Sequence, residues 1–342
     1  MNSDWQTYLR NQHAVIMNNC VLHFGDISAE LSGTQNKTIM ADLSHRGLIQ
    51  FSGDDAKNFL QSQLSCDIRE INSEIAQYGG YCTSKGRILA SFLLWQKNQD
   101  VIMQLPASLV ASTIKRLSLY ILRSKVQLTD ISNTWIRIGV AGSDISALTA
   151  DFCKSANNSG HIIDADISML HVANNRMELI TPIENAPAVW EHLKQNANPV
   201  GAACWDWLDI QSGIPVILPE TQEAFLPQMI NLDAIGGVSF KKGCYPGQEI
   251  VARTQYLGKL KRRMFLVHLT TTETIKAGDA LYSADMADQS CGNIVNIAPS
   301  PCGGYDALAV IQQSSVNTCN IHWQSLQGPV LEIKSLPYTL SV

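Results

Sequence analysis

Residues 47–65 read G-L-I-Q-F-S-G-D-D-A-K-N-F-L-Q-S-Q-L-S. Positions 47–51 are a short apolar run of strand character, and Ser52-Gly53-Asp54-Asp55 is a turn and helix-start signal. Ala56, Phe59, Leu60 and Leu64 then recur at helical spacing, which predicts an amphipathic helix over 54–65. Downstream, 78–83 and 87–95 flank Ser84-Lys85-Gly86 as a hairpin, and 100–105 is a further strand. Pro106 opens a helix over 107–123, and 125–128 is strand-like. The order then recurs: a strand at 135–141, a helix from Gly142-Ser143-Asp144 to about 153, and a polar loop at 155–160. A hairpin of 168–172 and 176–180 about Ala173-Asn174-Asn175 follows, then a helix over 184–195. Each block reads as roughly β-α-β-β-α-β, the ferredoxin-like order, so the fold class is α+β with two such units in tandem.

Residues 202–211 form a Trp-rich helix closed by Gly213 and Pro215. Beyond Arg262, short apolar runs at 264–269, 280–282, 294–297, 308–311 and 330–333 alternate with Gly, Asp, Pro and Ser. That is the pattern of a small C-terminal β-barrel. At 342 residues two or three domains are expected. The division predicted is 1–130 with 200–260, then 131–199, then 261–342.

Composition excludes several classes. Hydrophobic residues make up 45% and charged ones 16%, ample for packed cores and against wholesale disorder. The nine cysteines include no C-x-x-C pair, so neither a zinc ribbon nor a thioredoxin-like centre is expected. An odd number scattered over the chain is a poor disulfide framework and points to a reducing cytoplasm. The N-terminus lacks a signal-peptide pattern, and no apolar run approaches the length of a membrane span.

The net charge of −5 argues against generic nucleic-acid binding, but it is unevenly spread. Residues 241–263 carry seven basic groups (Lys241, Lys242, Arg253, Lys259, Lys261, Arg262, Arg263) and one acid, Glu249. Such a segment suits an anionic ligand or RNA, or else is a solvated basic turn. Within it stands Lys241-Lys242-Gly243-Cys244-Tyr245-Pro246-Gly247-Gln248-Glu249. A thiol beside two lysines and ahead of a helix start is placed where the thiolate is favoured. The eight histidines, the Gly-Gly pairs and Asp54-Asp55 carry no metal or phosphate spacing.

Lys242 to Glu249, K-G-C-Y-P-G-Q-E, resembles the signature of the YgfZ family, folate-binding proteins related to the aminomethyltransferase (T-protein) of the glycine cleavage system. Asn231-Leu232, 236–240, Val251-Ala252-Arg253, Lys85-Gly86-Arg87 and 212–217 match as well. The resemblance implies three domains in a ring around a central hole that the signature cysteine faces. It implies tetrahydrofolate as cofactor and a role in assembly or repair of iron–sulfur enzymes, which would be the partners. It further implies a linked, indirect effect on tRNA methylthiolation, and a monomeric cytoplasmic protein.

Residue by residue, Cys244 matches the signature cysteine and, with Lys242, is the candidate for chemistry; Tyr245 and Gln248 flank it. Trp205 matches an indole used at the folate site, where a flat pterin stacks well, though it also reads as an ordinary core tryptophan. Arg46 stands where relatives can carry Trp, and its guanidinium suits stacking or a folate carboxylate. Gln211 stands where T-proteins carry a pterin-gripping Glu, and an amide offers one acceptor oxygen in place of a carboxylate. Arg253 suits a carboxylate tail or a surface salt bridge. No reaction is assigned; the alternative is tetrahydrofolate-dependent aminomethyl transfer.

Overall fold

The computed structural model describes residues 1–340, apart from 73–74, 144, 150–151, 153–160, 165–166, 174, 257, 259 and 288, and gives the backbone alone for 161–164. The chain opens with α1 (Ser3–Asn11), β1 (Val15–Met17), β2 (Cys20–His23), α2 (Ile27–Thr34) and β3 (Ile39–Asp42). Asn2 and Asp26 cap the two helices, their side chains accepting from the first free amides. The first block follows as β4 (Arg46–Ser52), α3 (Ala56–Gln63), β5 (Gln77–Cys82), β6 (Ile88–Lys97), β7 (Asp100–Pro106), α4 (Ala107–Ser118) and β8 (Gln127–Asp130). The second is β9 (Trp135–Ala141), α5 (Ile145–Thr149), β10 (His161–Asp164), β11 (Ile167–Ala173), β12 (Arg176–Pro182), α6 (Ala186–Lys194) and β13 (Asn198–Val200). Then come α7 (Ala202–Gln211), α8 (Gln248–Tyr256), β14 (Arg262–Leu269), β15 (Ala280–Tyr282), β16 (Gly292–Pro299), β17 (Tyr305–Gln312), α9 (Gln313–Thr318), β18 (His322–Trp323) and β19 (Glu332–Lys334).

The fold is mixed α+β with several sheets. Both blocks run β-α-β-β-β-α-β, one strand more than the ferredoxin-like order, because β7 follows the first hairpin and β10 precedes the second. Helix α4 stops at Ser118 instead of 123: Leu122 takes a left-handed φ of 48°, and tight turns bring Tyr120 N to Leu117 O and Ser124 N to Ile121 O. The predicted second helix is seen from 145 to 149; its expected continuation to 153, the loop 155–160 and the turn residue 174 fall outside the described residues.

The chain divides into two compact units, one of Met1–Phe59, Arg69–Gln77 and Leu93–Trp205, the other of Leu60–Ile68, Tyr78–Phe92 and Asp206–Val342. The first contains the sheet β10-β11-β12-β9-β3-β13 and the strand run β6-β7-β4-β8, with β6 entering from Leu93 onward. β3 inserts between β9 and β13, pairing antiparallel with one and parallel with the other. Strand β9 (WIRIGVA) shows what alternation does here. Ile136, Ile138 and Val140 join Trp5, Leu9, Met40, Trp190 and Leu193 in an apolar core with α1 and α6. Arg137 and Gly139 face the other way, into a polar layer.

In the second unit, the strand order is β18-β15-β16-β17-β14-β19 around a core that includes Leu281, Ile294, Ala309, Ile311 and Trp323. The segment running into β19 pairs back on β18: Leu331 N donates to Ile321 O at 2.8 Å and Trp323 N to Pro329 O at 3.0 Å. The two ends of the order therefore meet, and the sheet closes.

Candidate functional site

The signature loop lies in the second unit and is built by staples onto residues 64–66 and 83–86. Ser65 Oγ donates to Gly237 O at 2.6 Å and accepts from Gly80 N at 2.8 Å, while Ser239 N donates to Ser65 O at 2.9 Å. The Lys242 ammonium is buried and donates to Leu64 O at 2.6 Å and Cys66 O at 2.8 Å. These carbonyls lie just past the end of α3, where a cation complements the helix dipole. Gly247, at φ +82°, rests on the turn of Lys85-Gly86: a Cβ there would lie 2.4 Å from Thr83 O and 2.6 Å from Gly86. No other residue fits that backbone and that gap. Two stretches far apart in sequence, K-G-R and K-G-C-Y-P-G-Q-E, thus meet in space.

Tyr245 is buried beneath the loop, with the Lys242 ammonium 5.3 Å from its ring centroid. Burial, then the nearby Cys82 and Cys66 thiols, raises its phenol above the ordinary value, and its hydroxyl has no hydrogen-bond partner among the described residues. Gln248 opens α8 and its Nε2 donates back to Lys242 O at 3.3 Å, closing the loop. What the loop presents to solvent is Cys244, a free thiol. Cys302 is exposed too, whereas Cys66, Cys82, Cys204 and Cys291 are buried; burial pushes the Cys82 thiol up to about 12.

The basic segment is less of a patch than its composition predicts. Lys242 is internal, and Arg263 is buried in a bidentate pair with Asp233 at 2.8 and 3.0 Å. Arg262 donates to Ser290 O. Lys241, Arg253 and Lys261 are exposed, and Lys259 lies outside the described residues.

Gln211, also in the second unit, is part of a cluster that sequence reasoning missed. Its Nε2 donates to Asp306 Oδ2 at 3.0 Å. Trp207 Nε1 and Ser300 Oγ donate to the same oxygen at 2.7 and 3.1 Å. His268 Nδ1 and Lys334 Nζ meet Asp306 Oδ1 at 2.8 and 3.1 Å. Burial works to raise the Asp306 carboxyl, but the hydrogen bonds from Trp207, His268 and Lys334 and the Lys334 charge prevail, leaving it below its ordinary value. The available signal was an aspartate in the otherwise apolar strand YDALAVIQ. With Nε2 held by a carboxylate, Gln211 has its oxygen left to accept.

Arg46 and Trp205 belong to the first unit, in the polar layer below β9 and β12. Arg46 Nη1 is 3.5 Å from Glu178 Oε1, and Gln104 Nε2 donates to Glu178 Oε2 at 2.7 Å. Arg137, fully buried, donates to Leu43 O and Trp135 O; burial lowers it to about 10 against the opposing pull of Asp42, Glu178 and Asp130. Trp205 is fully buried on Gly139, where a Cβ would come within 2.6 Å of the indole, and the Arg176 guanidinium lies 4.5 Å over its ring. The indole therefore has no open face, and its Nε1 has no hydrogen-bond partner among the described residues.

Residues 21–242 match the family model of the GCVT N-terminal domain. The chain is 30% identical over 263 residues to the tRNA-modifying protein YgfZ of Photobacterium profundum, covering 76% of this chain and 79% of that one. The chain belongs to the YgfZ family. It is also 28% identical to the YgfZ of Colwellia psychrerythraea over 321 residues, 89% of this chain and 94% of the other. The glycine cleavage system aminomethyltransferase T of Bartonella henselae superposes with a TM-score of 0.78 at 16% identity, covering 98% and 97% of the two chains, and so shares the fold. Among the described residues of this YgfZ member, no group of three or more His, Cys, Asp or Glu is placed to hold a metal ion. Nor is any helix among them long and apolar enough to cross a membrane.

Proposed function

We propose that this YgfZ member is a folate-binding accessory protein that supports assembly or repair of iron–sulfur enzymes through Cys244. The observation that carries the reading is the exposed thiol on a loop fixed from below by Lys242 and Gly247. Lys242 is a positioning residue, its ammonium holding the loop and not the reacting sulfur. A lone thiol holds no cluster by itself, since clusters are usually held by four protein ligands. Cys244 therefore acts with thiolates of a client enzyme, ligating iron transiently until a client thiolate takes its place on the metal.

The residues meet the expected folate unevenly. Gln211 fits, because Asp306 takes its N–H and leaves its oxygen for a pterin N–H. Arg253 is exposed on α8 and suits a carboxylate tail. Trp205 does not fit as it stands, since Arg176 covers its ring. Tetrahydrofolate would supply a reduced pterin that carries one-carbon units. The relatives' name speaks of tRNA; with Lys242 and Arg263 engaged internally, we place that effect downstream of iron–sulfur methylthiotransferases. The division at 130, 199 and 260 and the ring of three domains belong to the same proposal.

The test is complementation of a strain with failing iron–sulfur enzymes. Cys244→Ser should leave the thermal unfolding midpoint unchanged and fail to restore those enzymes. Full rescue by the variant refutes the reading. Calorimetric titration with tetrahydrofolate, wild type against Gln211→Met, tests the folate arm separately.

A further inference from the structure

We propose that the turn following α4, in the first unit, is a docking tip that seats on an anionic lipid surface. The inference depends neither on folate binding nor on Cys244. Helix α4 turns Leu109, Val110, Thr113 and Leu117 inward, where all four are buried. The apolar residues just beyond it do the opposite. Leu119 is 72% exposed, Tyr120 53% and Leu122 89%, the last being the most exposed large hydrophobic residue among those described.

This exposure is built into the backbone. Tyr120 N donates to Leu117 O at 3.0 Å, Ser124 N to Ile121 O at 2.8 Å and Val126 N to Ser124 O at 2.9 Å. The same turn holds Leu122 at a φ of 48°. Glycine or asparagine takes that backbone readily, whereas a bulky side chain is strained there. Leu122 thus brings strain to the unit and buries nothing within it.

The charge around the tip has one sign. From 107 to 129 the chain carries Lys115, Arg116, Arg123 and Lys125 and no acid. All four are exposed. Lys115 and Arg116 complement the C-terminal end of α4, but Arg123 and Lys125 lie beyond it. Asp54 and Asp55 face the turn from the loop ahead of α3: Asp54 pairs with Lys125 at 3.3 Å, and Asp55 Oδ2 accepts from Lys125 N at 2.8 Å. Lys115 and Arg123 have no ion pair among the described residues.

Protruding leucines with cations beside them match the two layers of an anionic bilayer surface. Acyl chains take the leucines, lipid phosphates take the cations, and a tyrosine is at home on the boundary between them. A protein partner matches less well, because three side chains at a tip are a small contact and a stable interface takes about 20–30 residues a side. RNA would meet the cations and could stack on Tyr120, but it leaves the two leucines in water.

The experiment is co-sedimentation of the full chain with large vesicles of phosphatidylcholine containing about 30% phosphatidylglycerol, set against phosphatidylcholine alone. The expected result is binding to the anionic vesicles that weakens as salt rises, and far less binding to the neutral ones. Arg123→Gln should lower the partition coefficient about fivefold. Leu122→Asn relieves the strained φ, so it should keep or raise the thermal unfolding midpoint while lowering partitioning about tenfold or more. Tyr120→Trp should add an indole whose emission shifts to the blue on the vesicles and is quenched by lipids brominated on their acyl chains. No binding to the anionic vesicles at low salt overturns the proposal. So does vesicle binding that Leu122→Asn leaves unchanged, since charge alone then accounts for it. A tip that binds a tRNA transcript and not the vesicles, weakened by Arg123→Gln, assigns the turn to RNA and overturns the proposal as well.

Discussion

Replacing Asp306 by Asn tests the cluster that holds Gln211. The substitution keeps the volume and removes the charge. Five donors converge on this carboxylate at 2.7–3.1 Å: Trp207, Gln211, Ser300, His268 and Lys334. An amide has a single acceptor oxygen, and its NH2 group would face donors. Lys334 would lose its counter-charge and Trp207 or Gln211 its acceptor in a place where Asp306 is 2% exposed. Removing one partner of such a buried arrangement costs about 3–5 kcal/mol. For a unit of this size that is a fall in Tm on the order of 6–20 °C. Urea unfolding followed by tryptophan fluorescence measures it. The pH dependence gives a second check. The folded-state pKa of Asp306 is lowered, so its stabilisation is fully present above the unfolded value of about 3.9 and is lost as pH falls through the folded value. The gap between wild type and Asp306→Asn should be widest at pH 5–7 and shrink below about pH 4. A loss under about 1 kcal/mol, or a gap unchanged between pH 5 and pH 2, would refute the reasoning.

Three further outcomes are expected. Gln211→Glu puts a second carboxylate against Asp306, so it should destabilise by about 1–3 kcal/mol at neutral pH and recover in acid; equal stability at pH 7 counts against the contact. Gly247→Ala forces a Cβ into the Thr83–Gly86 turn at φ +82°, and should cost about 1–3 kcal/mol while raising the alkylation rate of Cys244; chemical denaturation and mass spectrometry read both. In native wild type at pH 8, iodoacetamide should modify Cys244 and Cys302 well before Cys66, Cys82, Cys204 or Cys291; early labelling of Cys82 would contradict its buried, raised thiol.

The blocks were legible because their elements obey local rules: a turn at Ser84-Lys85-Gly86, a proline ahead of α4, and helical spacing over 56–64. β3 was not, because four buried residues in a row show no alternation, and its partners β9 and β13 lie far along the chain. The signature thiol was legible through its neighbours, but the role of Lys242 was not, since only the fold brings Leu64 and Cys66 beneath it. Arg263 misled for the same reason: its partner Asp233 lies upstream of the basic stretch 241–263. For Trp205, the deciding neighbours are Gly139 and Arg176, neither near it in sequence.

The closed C-terminal sheet has a consequence for synthesis. Its ends meet only when Leu331 pairs with Ile321, and Lys334, the last residue of β19, is one of the donors to Asp306. Until the ribosome releases this stretch, β14 has an unpaired edge where β19 will sit, and the buried carboxylate lacks its lysine. An open edge is a template for pairing with other chains. The second unit therefore completes itself only once residues 329–334 have been made, and the nascent chain is most exposed to aggregation just before that moment. A stop codon placed before Leu331 should yield insoluble protein even though every residue of the signature loop has already been made.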